Sequence, residues 1–129
     1  MIQFQNEYVV AELVNNSTVI LLTWKGFIPS AEYREALDRS LEIAKTQKIS
    51  KWISDLRLMK VIRVNDQEWA STDWLSRAVL AGCYSKQAVI MADDVFAQAS
   101  AQKILTTVQN KQIEIQNFTK IEEAKTWLA

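Results

Sequence analysis

The sequence predicts an α/β fold, with a mixed sheet of about five strands, antiparallel in an N-terminal hairpin and parallel afterwards, and with four helices. Three observations carry this expectation. Residues 8–14 and 18–24 are strand-like runs separated only by the turn formers Asn15, Asn16 and Ser17. From residue 30 onward, stretches with an apolar stripe at helical spacing alternate with short apolar runs at 52–56, 86–92 and 113–118. The chain of 129 residues holds only 2 Gly and 1 Pro, which argues against long irregular connections. Strands joined by helices pair in parallel through right-handed crossovers, and a chain of this length forms one core, so a single domain over 1–129 is expected.

In the first run Val9, Ala11 and Leu13 alternate with Tyr8, Val10 and Glu12, the period of a half-exposed strand that Phe4 would extend. The second run, TVILLTW, is almost continuously apolar and belongs deeper in the sheet. After Pro29, Ser30 is placed as an N-cap with Glu32 in the first turn. Tyr33, Leu37, Leu41 and Ala44 then share one stripe of a helix that fades near Gln47. WISDL at 52–56 reads as a short buried strand, followed from Leu58 to Val64 by a loop with some extended character. Asn65 and Glu68 have the spacing of a capping box, and Val64 and Trp69 that of a hydrophobic staple, so a second helix should start near Asp66. At 3.6 residues per turn Ser71, Leu75, Ala78, Val79 and Gly82 face the sheet. Trp69 and Leu80 then fall on one flank, and Ala70, Trp74 and Ala81 on the other.

KQAVIMA at 86–92 has the unbroken apolarity of a central parallel strand. Asp93 or Asp94 should cap the third helix, whose inner stripe is Ala97, Ala101, Ile104, Leu105 and Val108. Residues 113–118 alternate as an edge strand would. Thr119 and Glu122 form a second capping box, and Ile121, Ala124 and Leu128 line the inner side of a fourth helix with Trp127 beside it.

Fifteen basic and fifteen acidic residues cancel, and without a basic patch nucleic acid is not an expected partner. The start, MIQFQNEYVV, has neither the basic segment nor the apolar segment of a secretion signal, and no apolar run approaches the ~20 residues of a membrane span. The expectation is a cytoplasmic protein, with which the single cysteine, Cys83, agrees. The chain contains no histidine, so it lacks the commonest general base near neutral pH and the commonest metal ligand. Neither a nucleophile with its base, a metal cluster nor a phosphate loop is legible, and no cofactor is expected.

The stretch at 51–83 carries the most distinctive motifs, WISDLRLM followed by DQEWASTDW and AGC. In these, and in the order of elements over essentially the whole chain, the sequence resembles the SpoIIAA-like superfamily, which comprises STAS domains (sulfate transporter and anti-sigma antagonist) and their CRAL-TRIO lipid-binding relatives. It is similar in particular to small stand-alone bacterial members without an assigned activity. The resemblance implies a non-enzymatic bacterial domain acting through a protein partner, and, from the CRAL-TRIO side, a pocket for an apolar molecule. In phosphorylatable STAS domains a strand ends in Asp followed by Ser or Thr. Asp55 sits at the matching strand end, but Leu56, Arg57 and Leu58 follow, and no hydroxyl occurs between Ser54 and Ser71, which argues against a phospho-switch.

Ligands of open α/β sheets meet the carboxyl ends of parallel strands, which here brings forward Asp55, Arg57, Asp93 and Asp94. Asp55 paired with Arg57 or Arg63 as a structural ion pair is the plainer reading; an anion held by Arg57, Arg63 and a helix N-terminus is the sharper one. Asp73 and Arg77 are four apart on the second helix, a solvated bridge worth ~0.5 kcal/mol. Asp93 and Asp94 suggest Mg²⁺ less than they suggest a cap. Trp69 and Trp74, two of 5 tryptophans, are interface anchors if exposed and core-edge residues if not. Cys83 reads as a small buried hydrophobe. The expected function is therefore protein interaction or self-association as a homodimer, with Trp69 and Trp74 at the contact and Arg57, Arg63 and Asp73 at its rim, Arg77 being a further candidate through its pairing with Asp73. The alternative is binding of a small apolar, amphipathic or anionic ligand near the strand ends, under residues 59–64.

Overall fold

The computed structural model describes residues 1–109 and 113–129, without the side chains of Leu105, Thr107, Val108 and Gln109. Leu105 and Val108, expected on the third helix's inner stripe, thus lie outside the described residues. The chain forms β1 (Ile2–Gln5), β2 (Val9–Val14), β3 (Val19–Gly26), α1 (Ser30–Gln47), β4 (Lys51–Met59), α2 (64–80), β5 (Lys86–Ile90), α3 (Val95–Gln109), β6 (Glu114–Phe118) and α4 (Ile121–Trp127). Helix α2 is α-helical over Val64–Trp69 and Leu75–Leu80 and π-helical over Ala70–Trp74 between them.

The 6 strands of the described residues lie in one sheet in sequence order. β1, β2 and β3 pair antiparallel and β3 to β6 pair parallel. The expected hairpin is β2 and β3, and its turn holds Asn15, Asn16 and Ser17 at φ 53, 56 and 62, a left-handed path that Asn tolerates better than most residues. Phe4 does not extend β2. The side chain of Asn6 accepts the Tyr8 and Val9 amides at 2.8 and 3.1 Å, turning the chain so that β1 becomes a separate edge strand.

Because the strand order never reverses, crossovers of one hand put α1, α2 and α3 on the same face of the sheet. Their inward residues, among them Tyr33, Leu37, Leu41, Ala70, Trp74, Leu75, Ala97 and Ala101, pack with Ile20, Leu22, Trp24, Trp52, Leu56 and Val89 in the main core. The opposite face carries a smaller core in which Ala124 and Leu128 at the C-terminal end of the chain meet Val19, Leu21, Ile53, Ala88 and Ile90. With no reversal in strand order there is no switch-point crevice, the feature that makes strand ends ligand sites in doubly wound sheets.

Strand β4 is longer than WISDL and takes in Leu58 and Met59, so the loop expected from 58 is confined to residues 60–63. Thr23 pairs with Asp55 and Lys25 with Leu58, leaving two β4 residues opposite one on β3. This bulge reverses the alternation, so that Met59 is buried at 1% exposure and Leu58 stands out at 61%.

Three expected caps do not form, two of them giving way to a contact between α1 and α2. Helix α2 begins at Val64 with Arg63 in the cap position and no side-chain cap; the Asn65 and Glu68 capping box does not form. Asp66, inside the first turn, instead accepts from Ser30 Oγ at 2.8 Å and Arg34 Nε at 3.0 Å. Ser30, expected as an N-cap, is thereby turned toward α2, and Pro29 holds the cap position of α1. Helix α4 starts at Ile121 with Lys120 before it and no side-chain cap, in place of the Thr119 and Glu122 box. At α3 the cap is Asp94, whose Oδ1 accepts the Ala97 amide at 2.9 Å. That bond, assisted by Lys60 at 3.6 Å, holds the carboxyl of Asp94 below its ordinary value.

Candidate functional site

The π-helical turn decides what α2 presents to the sheet. Leu75 donates its amide to Ala70, five residues back, and the hydroxyls of Ser71, Thr72 and Ser76 bond to carbonyls four residues back, competing with the regular ladder. One extra residue in the turn rotates the N-terminal half of the helix by ~100° relative to the C-terminal half. Asp66, Gln67, Ala70 and Trp74 are therefore buried beside Leu75 and Ala78, while Ser71 and Val79, expected on the core face, are only partly buried.

This rotation separates the two tryptophans. Trp74 is 6% exposed, and its Nε1 donates to the Leu37 carbonyl at 2.8 Å. Its ring meets Trp52 at 5.5 Å and Tyr84 at 5.8 Å, both edge to face. Trp74 is thus a core residue and not an exposed anchor. Trp69 is half-buried, edge-on to Tyr33 at 6.5 Å, and the guanidinium groups of Arg34 and Arg77 lie over its ring at 5.1 and 5.7 Å. Arg77 also pairs with Asp73 and Asp38, each at 2.8 Å, in an exposed network that ties α2 to α1.

At the end of β4, Asp55 is 3% exposed and takes Arg57 in a fork, Nε to Oδ1 at 3.0 Å and Nη2 to Oδ2 at 2.8 Å. The pairing raises the pKa of Arg57 above its ordinary value. Arg63 is exposed at the entry of α2 and does not join the pair. The Arg57 and Arg63 anion clamp is therefore not assembled, and the shallow groove beside it, lined by Lys25, Gly26, Arg57, Leu58, Lys60, Asp93 and Asp94, has its charges largely matched internally. Among the described residues no group of three or more His, Cys, Asp or Glu side chains could hold a metal. Cys83 is buried, and burial pushes its thiol up.

What the fold does assemble is a cavity of about 80 Å³ between the sheet and helices α1, α2 and α3. Trp52, Ser54, Leu56 and Met59 of β4 form its floor with Gln87 and Val89 of β5; Tyr33, Trp74 and Ile104 are among the residues that roof it, with Ile62 at one side. The residues at 59–64 expected to lie over a pocket thus supply part of its wall, through Met59 and Ile62. Its polar groups cluster. Gln87 Nε2 donates to Ser54 Oγ at 3.0 Å, Tyr84 lines the same space, and among the described residues Gln87 Oε1 is buried without a hydrogen-bond partner. Burial pushes the hydroxyls of Tyr33 and Tyr84 well above their ordinary pKa, so both remain protonated donors.

Ser54 and Gln87 were not among the residues singled out from the sequence. The signal was present in the two-residue period: Ser54 shares a face with Trp52 and Leu56, and Gln87 with Val89, so each is a polar side chain on the covered face of a parallel strand.

No protein-family model and no curated protein matches the chain. Among solved structures it is similar to an uncharacterised protein of the DUF3478 family from Shewanella loihica PV-4, described as having a SpoIIAA-like fold, with a TM-score of 0.60, 15% identity, and coverage of 98% of this chain and 99% of that one. Among the described residues no helix is long and apolar enough to cross a membrane. With its antiparallel N-terminal edge, four parallel strands in unreversed order and full-length superposition on that structure, the chain has the SpoIIAA-like fold.

Proposed function

We propose that the chain is a non-enzymatic binding domain that takes a small apolar or amphipathic molecule into the cavity beneath α2. The observation that carries this reading is an aromatic-walled space of about 80 Å³ in the main core, with a buried amide oxygen, Gln87 Oε1, left without a partner among the described residues beside it. The sequence resemblance to CRAL-TRIO lipid-binding relatives points the same way. Native mass spectrometry of the purified chain is the test. A mass above that of the polypeptide, lost on mild activation, is expected; the bare mass, together with no binding of any apolar probe, would refute the reading.

A second reading, contact with a protein partner or a second copy, moves from α2 to the carboxyl end of the sheet. Phe27, Leu58, Val64, Val95 and Phe96 are all strongly exposed there, Phe96 at 73%, and exposed large apolar side chains at one end of a molecule favour association. Light scattering across concentration tests this: a mass that doubles in the native chain and stays monomeric in Leu58→Ser and Phe96→Ser supports self-association, and a monomer at every concentration removes it.

A further inference from the structure

Resting on the cavity reading above, we propose that the ligand is a small uncharged ring compound bearing a single hydroxyl, read by the amide of Gln87 together with Ser54. Charge is settled by the lining, which contains no Lys, Arg, Asp or Glu among the described residues, so a carboxylate or ammonium entering it would lose its hydration with nothing opposite. A ring is favoured by the walls. Trp52, Trp74 and Tyr84 meet at interplanar angles of 82°, 83° and 56°, which presents faces and edges to one space and suits insertion of a further flat group. The volume of about 80 Å³ is small, roughly half that of a cavity of about 150 Å³ known to hold benzene. One ring is thus the upper bound, and Met59 at the wall, unbranched and flexible, is the side chain that yields to it.

The hydroxyl follows from the polar cluster. Gln87 Oε1 accepts nothing from the described residues, and Ser54 Oγ already accepts from Gln87 Nε2, which leaves the serine hydrogen free to donate. Gln87 Oε1 as acceptor and Ser54 Oγ as donor thus stand at close quarters, and a hydroxyl is the smallest group that answers both. A hydrocarbon ring would leave Oε1 unsatisfied, the situation that costs most in a buried site.

The test uses the indole N–H signals of the native chain in ¹H–¹⁵N spectra during separate titrations with phenol, its near-isostere toluene, and benzoate. Phenol should shift the signals of Trp52 and Trp74, which line the cavity, and leave Trp127, which packs on Phe118, unmoved. It should bind about tenfold more tightly than toluene, the worth of one buried hydrogen bond, and benzoate should shift neither signal. Gln87→Leu should abolish or reverse the preference for phenol. Toluene binding the native chain as tightly as phenol overturns the hydroxyl assignment while the cavity reading stands, and benzoate binding as tightly as phenol overturns the requirement for an uncharged ligand. An unchanged preference in Gln87→Leu overturns the role of Gln87. No shift at Trp52 or Trp74 with any probe overturns the cavity reading and this proposal together. If Gln87→Leu does not fold, the native titrations alone decide.

Discussion

Replacing Trp74 by Ala separates a core role for α2 from a surface role more sharply than any other single change. The indole is 6% exposed, donates to Leu37 at 2.8 Å, and packs against Trp52 and Tyr84 at 5.5 and 5.8 Å. Truncation removes nearly a whole buried side chain beside an existing cavity of about 80 Å³, so the void enlarges and the helices above it cannot easily close in. Buried Trp→Ala changes cost ~3–5 kcal/mol, a figure that already contains the lost hydrogen bond and ring contacts. Against a total stability of ~5–15 kcal/mol, that is a large fraction. Trp69 gives the contrast. It is half-buried, and its two arginine contacts, at 5.1 and 5.7 Å, lie on the surface, so with ~0.5–1 kcal/mol for each such contact Trp69→Ala should cost ~1–2 kcal/mol. Urea unfolding followed by far-ultraviolet circular dichroism measures both. At an m-value of ~2 kcal/mol/M, the midpoint should fall by about 2 M for Trp74→Ala and by under 1 M for Trp69→Ala, with m unchanged. A Trp74→Ala variant within about 1 kcal/mol of the native chain, or a larger loss in Trp69→Ala, would refute the packing of α2 described above.

Three further outcomes are expected. Arg57→Ala strands the Asp55 carboxylate at 3% exposure without its fork of 3.0 and 2.8 Å; it should destabilise by ~1–3 kcal/mol, and a double-mutant cycle with Asp55→Ala should recover most of that loss. The Asp94 carboxyl is held below its ordinary value, chiefly by the Ala97 amide, so its stabilising effect is complete above the ordinary carboxylate pKa of ~3.9 and disappears as pH falls through the lower folded value. Asp94→Asn should accordingly melt below the native chain at pH 7, and the gap should shrink below about pH 4; a gap that persists unchanged in acid would contradict the assignment. Lys48 closes α1 in the left-handed conformation at φ 58, its amide bonding to Ala44. Lys48→Gly should stabilise the chain by ~0.5–1 kcal/mol in the same unfolding assay, because glycine carries no side-chain penalty there.

The sequence on its own determined the order of the elements from β2 onward and the pairing class of the sheet, but not the separate edge strand β1. Alternation at 8–14, unbroken apolarity at 86–92 and the Asn15, Asn16, Ser17 turn are local signals, written by a two-residue period and by backbone preferences that no distant contact overrides. The stretch at 51–83 contributes Trp52, Ser54, Met59 and Trp74 to the cavity wall. What only the tertiary structure decided are the faces that those elements show. The bulge in β4 that exchanges Met59 for Leu58, and the π-helical turn that brings Trp74 and Ala70 inward, each insert one residue into a regular period. A one-residue shift leaves composition and propensity unchanged while turning a side chain to the other face. Likewise the capping-box residues Asn65 and Glu68 lost to a pairing of Asp66 with Ser30 and Arg34, partners more than thirty positions away in the chain, since a buried carboxylate must be matched wherever its partners lie.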